Sequence, residues 1–225
     1  SDPVRKVVRR IEEGWQSLEP ERWASGEAQV AALADDIAYV SHDIDDGLRA
    51  DLLTLADLAE APLAGGIVRA LPMGDPALDA GRLSYEVTRR MITHLVSDVV
   101  QESRRRLSVL APRTSADIMA ASAATVAFSG ETVRDLGALK SFLMQRVYRS
   151  RRVMDVMEAA EALVERLFAR YLANDGDLPG SWRAAAQGLS ERRRARVIAD
   201  FVAGMTDRYA IAEYVRLFDE TPELR

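Results

Sequence analysis

Six acidic residues, Glu27, Asp35, Asp36, Asp43, Asp45 and Asp46, fall in a stretch of this 225-residue chain that has no lysine or arginine between Arg22 and Arg49. Carboxylates can ligate hard divalent cations, exchange protons as general acids or bases, or accept hydrogen bonds from arginine forks. At helical spacing, Val30, Leu33, Ile37, Val40, Ile44 and Leu48 form one apolar stripe. Opposite it lie Asp35, Tyr39, His42 and Asp46, flanked by Asp43. Carboxylates without a local basic partner repel one another along a helix. Something cationic is therefore expected against that side: a divalent metal, or arginines from elsewhere in the fold. Ala28, Ala31 and Ala32 are small enough to let a helix or a ligand approach closely. An acidic surface helix is the plain alternative, and the spacing leaves both readings open.

Other reactive groups are sparse. The chain has two histidines, His42 and His94, and no cysteine, which excludes disulfides and thiolate metal sites. His94 sits with Met91 and Leu95 and reads as a core or partly exposed residue. Gly65-Gly66 has neither the spacing nor the lysine of a phosphate-binding P-loop. Arg146, Arg149, Arg151 and Arg152 cluster around Tyr148 at a helix junction. They suit either a phosphate or carboxylate partner or a solvated basic face. Arg192 to Arg196 fall in the first turns of a helix, where the dipole disfavours cations, and read as solvated surface.

The elements that must position these groups are helices. Hydrophobic residues make up 48% of the chain and aromatics only 6%, a bias against strands. The net charge of −5 and a pI near 5.3 argue against a general nucleic-acid binder. No apolar run is long enough to span a bilayer, and the charged start of the chain does not read as a signal peptide, so a cytoplasmic protein is expected. The pattern predicts a first helix from Pro3 to Trp15, with Val4, Val7, Val8 and Ile11 on one face. Ser25 caps a long helix running to about Leu53, and Thr54 with Asp57 opens a short one. Gly and Pro break the region from Pro62 to Pro76. A second long helix spans Asp79 to Leu110 and stops before Pro112, burying Leu83, Val87, Met91, Leu95 and Val99. Ser115 caps a short segment, and Thr125 to Phe128 reads as extended. Helices follow over Ser129–Arg149, over Arg152–Ala173 and around Trp182. A last long helix starts at Ser190 and carries Val197, Phe201, Met205, Tyr209 and Ala212 on one face. With no repeat or linker composition, the expectation is a single compact all-α domain over residues 1–225.

Asp35-x-x-x-Tyr39-x-x-x-Asp43, set in Ala-Asp-Asp-Ile-Ala-Tyr and followed by His-Asp-Ile-Asp-Asp-Gly, resembles the dNTP triphosphohydrolase family of the HD superfamily. Val126–Ser129, Met144–Arg149 and Ala203–Ala210 extend the resemblance, in the order expected for the C-terminal portion of a bacterial dGTPase-like protein. The resemblance implies a multi-helix HD-superfamily domain lacking its N-terminal helices. It implies a metal site made by a His…His-Asp…Asp set whose last member is Asp35. Tyr39 would pack on the substrate sugar, Asp43 would make a polar contact nearby, and Arg146 and Arg149 would contact phosphate or the acidic helix. The implied reaction cleaves a deoxynucleoside triphosphate to deoxynucleoside and tripolyphosphate with Mn, Mg or Fe. A homo-oligomer is implied, with no membrane partner and with nucleic acid at most as an effector.

One departure limits this. His42-Asp43 follows Asp35 on the same helix and cannot be the family's earlier His-Asp pair, so three metal ligands are missing. The expectation is a C-terminal part of a longer enzyme, catalytically silent and not stably binding metal by itself. The rival is a non-catalytic helical nucleotide-binding or assembly module on the same scaffold. A third reading is an unrelated interaction domain that docks through its acidic helix.

Overall fold

A computed structural model describes residues 19, 21–72 and 79–222. The helix expected over Pro3 to Trp15 lies outside them. Among the described residues all regular structure is helical and no strand occurs, so the fold class is all-α. The chain divides into two compact units, residues 1–147 and 148–225.

In the first unit, α1 (Gly26–Arg49) begins at Ser25, whose hydroxyl accepts from the Ala28 N–H. It ends at Arg49, short of the expected Leu53, because the chain turns back on itself. The N–H groups of Leu52 and Leu53 both donate to the Gly47 carbonyl, at 2.9 and 3.0 Å. A Cβ on Gly47 would lie 2.8 Å from Leu53 Cδ1, so the bare glycine is what lets Leu53 pack across the helix. The Thr54–Asp57 capping box opens α2 (Leu55–Glu60), and α3 (Ala64–Arg69) follows in the glycine- and proline-broken region. Asp79 caps α4 (Ala80–Leu110), which stops at Ala111 in a left-handed conformation just before Pro112. Thr114, rather than Ser115, caps α5 (Ser115–Met119). The segment expected to be extended, Thr125 to Phe128, is irregular. Ser129 then caps α6 (Gly130–Leu143), and Met144–Tyr148 forms a π-helical turn instead of continuing an α-helix to Arg149.

The core of this unit forms where α1 meets α4. Ile37, Val40 and Ile44 bury against Val87, Met91 and Leu95, with Leu136, Leu139 and Leu143 of α6 closing over them. Each fully buried side chain of this kind contributes roughly 1.5–3 kcal/mol relative to exposure. The predicted stripe is thus the core face, except that Val30 at its upper end is 53% exposed.

The second unit is built from α7 (Arg151–Ala173), a short 3₁₀ turn at Asp175–Asp177, α8 (Gly180–Ala186), α9 (Glu191–Ala203) and α10 (Asp207–Phe218). The single helix expected from Ser190 is two helices. It breaks at Gly204, and Thr206 restarts it by accepting from the Tyr209 N–H at 3.3 Å. The apolar spacing Phe201, Met205, Tyr209 keeps helical register through the break and conceals it. Ala212 is exposed, whereas Phe201 and Ile198 bury against Leu163, Leu167 and Tyr171. Tyr171 is fully buried and donates its hydroxyl to Glu213, which Arg216 grips with two bonds of 2.7 and 2.8 Å. Arg216 holds the Glu213 carboxyl below its ordinary range, against burial and with help from Tyr171. Burial, reinforced by Glu213, pushes the Tyr171 phenol up.

Candidate functional site: the acidic helix and the cleft beside it

Helix α1 presents three differently dressed sides. Its core side is described above. Its acidic side carries Asp35, Tyr39, His42 and Asp46 exposed to solvent, with Asp43 partly buried. Tyr39 is 58% exposed, a large ring left at the surface by a helix that buries its neighbour Val40 completely.

Among the described residues, cations reach this helix at Asp36 and Asp45. Lys140 of α6 pairs with Asp36. Asp45 accepts from Arg49 at 2.6 Å and from Ser84 of α4 at 2.7 Å. Burial opposes the charge on Asp45, but the Arg49 and Ser84 bonds outweigh it and keep this carboxyl below its usual range. Asp35, by contrast, makes no ion pair among the described residues. Those residues also contain no group of three His, Asp or Glu side chains placed to hold a metal ion. A single exposed carboxylate is one of the several oxygen or nitrogen ligands that a divalent cation takes.

The third side of α1 is an open apolar cleft. Helices α1 and α4 run antiparallel, with Asp45 meeting Ser84 at one end and Val30 facing Leu107 at the other. Between them lies a cleft of about 540 Å³, walled by Val30, Ala34 and Ala38 on one side and Val96, Val100 and Leu107 on the other. His42 and Arg104 stand at its polar margin. Val96 and Val100 are 45% and 41% exposed, a valine pair in water on a helix whose opposite face is fully buried. Ala34 and Ala38 immediately precede Asp35 and Tyr39 in sequence, so the cleft wall and the acidic side share an edge.

Side chains that the sequence did not single out brace this region. Gln29 is buried, and its amide oxygen accepts from the N–H groups of Thr125 and Val126 at 2.9 and 3.0 Å while its nitrogen donates to the Ala24 carbonyl. Ser103 accepts from the Ala127 N–H and Asp98 from the Ser129 N–H. Arg106 reaches the Ala124 carbonyl at 2.9 Å. An irregular strap, residues 124–129, is thereby fixed across the ends of α1 and α4, and its Val126 completes the cleft. The available signal was Gln29 itself, a polar residue one turn before Leu33 on the core side of the helix.

Of the two arginines of interest, Arg146 belongs to the first unit and Arg149 to the second. Arg146 sits 3.6 Å from Asp57, the capping carboxylate of α2, with its guanidinium 5.8 Å above the Phe142 ring. Arg149 is exposed in the turn before α7. Of the basic run at the start of α9, Arg194 is tied to Asp175 and to the Leu172 carbonyl, and Arg196 to Asp200. His94 is exposed on α4. No helix among the described residues is long and apolar enough to cross a membrane.

Comparison with known proteins adds an independent finding. Residues 126–216 match the family described as the phosphohydrolase-associated domain. A deoxyguanosinetriphosphate triphosphohydrolase-like protein of Rhodopseudomonas palustris (strain BisB5) is 48% identical over 225 residues, covering 98% of this chain and 56% of the relative. A protein of the same name from Bradyrhizobium diazoefficiens is 45% identical, over 92% of this chain and 52% of its own length. In Mesorhizobium japonicum, deoxyguanosinetriphosphate triphosphohydrolase-like protein 1 is 44% identical over 99% of this chain and 55% of its own. The chain thus spans about half the length of the curated relatives it matches.

Proposed function

We propose, with the deoxyguanosinetriphosphate triphosphohydrolase-like proteins standing as homologues of this chain over nearly all of it, that these residues are one part of a metal-dependent phosphohydrolase acting on deoxynucleoside triphosphates. The coarser assignment, to a phosphohydrolase family, rests directly on those homologues and on the phosphohydrolase-associated match. The finer reading is that the complete protein cleaves its substrate to deoxynucleoside and tripolyphosphate.

The observation that carries it is the acidic side of α1. Asp36 and Asp45 are engaged by Lys140, Arg49 and Ser84, while Asp35 stands exposed one turn from the exposed ring of Tyr39. In this reading Asp35 offers one carboxylate to a metal whose other ligands lie outside these residues. Tyr39 offers a flat apolar surface to a sugar, and Asp43 a polar contact beside it. Alone, the 225 residues are inactive. The complete protein works in the cytoplasm as a homo-oligomer.

Tripolyphosphate release from each of the four dNTPs, with Mn²⁺ present, tests this. The 225-residue chain is expected to release none. In a longer polypeptide carrying this sequence, Asp35→Asn is expected to lower the rate by about a hundredfold or more. Robust turnover by the short chain would overturn its inactivity, and an unchanged rate in the Asp35→Asn protein would remove Asp35 from the site.

A further inference from the structure

We propose that Lys140 contacts the phosphate chain of the substrate, its ammonium group leaving Asp36 for the phosphates when they arrive. The inference rests on the reading of the acidic side of α1 given above, and adds to it a cation from a second helix.

The choice of residue is the first support. Thirty basic residues include two lysines, Lys6 and Lys140. In the other ion pairs described the cation is arginine: Arg90 and Arg106 grip Glu86 and Glu102, and Arg170, Arg194 and Arg216 grip Asp177, Asp175 and Glu213. A guanidinium fork fixes a carboxylate in one geometry, whereas an ammonium on a four-carbon stem is a point charge that can change partners. Stability does not explain the lysine either. The side chains of Lys140 and Asp36 are 44% and 35% exposed, and an ion pair so open to water adds little to a fold.

Placement is the second support. Leu139, the neighbour of Lys140 on α6, is fully buried in the core that also holds Ile37 and Val40 of α1, so the root of the lysine stem is fixed while its tip reaches water. Asp36, on which the ammonium rests, directly follows Asp35 in the chain. On the reading above the phosphates gather at Asp35, against a helix that also carries Asp36, Asp43 and Asp46. Like charges oppose that approach, and a cation delivered from α6 offsets them. The chemistry adds a third. Water adds to the α-phosphorus and the bond to the 5′ oxygen breaks. One of the water's protons ends on that oxygen, the other passes to solvent, and the phosphate chain gains a negative charge. A cation touching the chain therefore holds it more tightly after attack than before, which lowers the barrier.

The test uses a longer polypeptide carrying this sequence, with Mn²⁺ present. Acetic anhydride labels the Lys140 amine, and peptide mass spectrometry reads the rate. Tripolyphosphate at about ten times its dissociation constant is expected to slow labelling about tenfold, and sodium sulfate at equal ionic strength to leave it unchanged. In the same polypeptide, Lys140→Met is expected to lower kcat/KM for tripolyphosphate release about a hundredfold, with Lys140→Arg recovering part of the loss. Asp36→Asn, which removes only the resting partner, is expected to leave KM at or below the parent value. Equal losses in Lys140→Met and Asp36→Asn would make the pair structural and overturn the proposal. Turnover with Lys140 labelled as fast under tripolyphosphate as without it overturns it too, and so does equal protection by sulfate. The labelling needs no substitution, so a variant that fails to fold does not remove the test. Protection in a protein that releases tripolyphosphate from no dNTP sinks the hydrolase reading and leaves the contact standing, and turnover without protection does the reverse.

Discussion

Both units tie arginines to their own carboxylates, and they differ in what lies beside those pairs. In the second unit, arginines turn inward onto the fold's own groups. Arg216 clasps Glu213, Arg170 reaches Asp177, Arg194 reaches Asp175, and Arg166 lies over the Tyr214 and Phe218 rings while bonding Glu220. In the first unit, α1 keeps Asp35 and Asp46 at its surface and opens an apolar cleft beside them. There an exposed carboxylate, a tyrosine ring and a valine-lined cleft share one edge of the helix.

Substitutions can break this contrast, beginning with the largest effect. Tyr171→Ala removes a ring from a site with no exposure at all, and is expected to cost about 3–5 kcal/mol in urea denaturation. A loss near 1 kcal/mol would mean that the second unit is not closed around that ring. Glu213→Gln is the next probe. The folded carboxyl is held below its ordinary 4.5, so its ionised form adds stability above that value, and the contribution fades as pH falls through the lowered folded pKa. The variant is expected to lose about 1 kcal/mol at neutral pH, a figure kept small because Arg216 is half exposed. Its stability should then fall less steeply than the parent's below pH 4.5. An identical acid limb in parent and variant would remove Glu213 from the account. The smallest effect belongs to the cleft. Val100→Ala should change the stability of the 225-residue chain by no more than about 0.5 kcal/mol, and a larger loss would show the cleft already closed in solution.

Much of this was legible beforehand because local chemistry and tertiary packing agree. Ser25, Thr54 with Asp57, Asp79 and Ser129 all cap the helices they announce. The stripe Leu33, Ile37, Val40, Ile44 faces the core. Where the reading failed, a repeating pattern outlasted the element bearing it. Phe201, Met205 and Tyr209 keep helical spacing across the break at Gly204, and Val30 prolongs an apolar stripe beyond the core into the cleft. Thr125 to Phe128 looked extended because its residues suit a strand, yet the described residues offer it no strand to pair with, and side chains from α1 and α4 fix it instead. The candidate site was legible to a different extent. The acidic side of α1 follows from spacing, whereas the cleft needs α4, and nothing in the order of residues says that Val96 will face Ala34.

The Gln29 amide joins positions 96 residues apart. Closing a loop of that size carries an entropy penalty on the order of 4 kcal/mol, before any constant term. Pairing of α1 with α4 shortens that loop, so anchoring the strap costs less once the two helices are together. Val126 travels with that strap. One wall of the cleft is therefore held by a contact far apart in sequence, unlike the helices on either side of it.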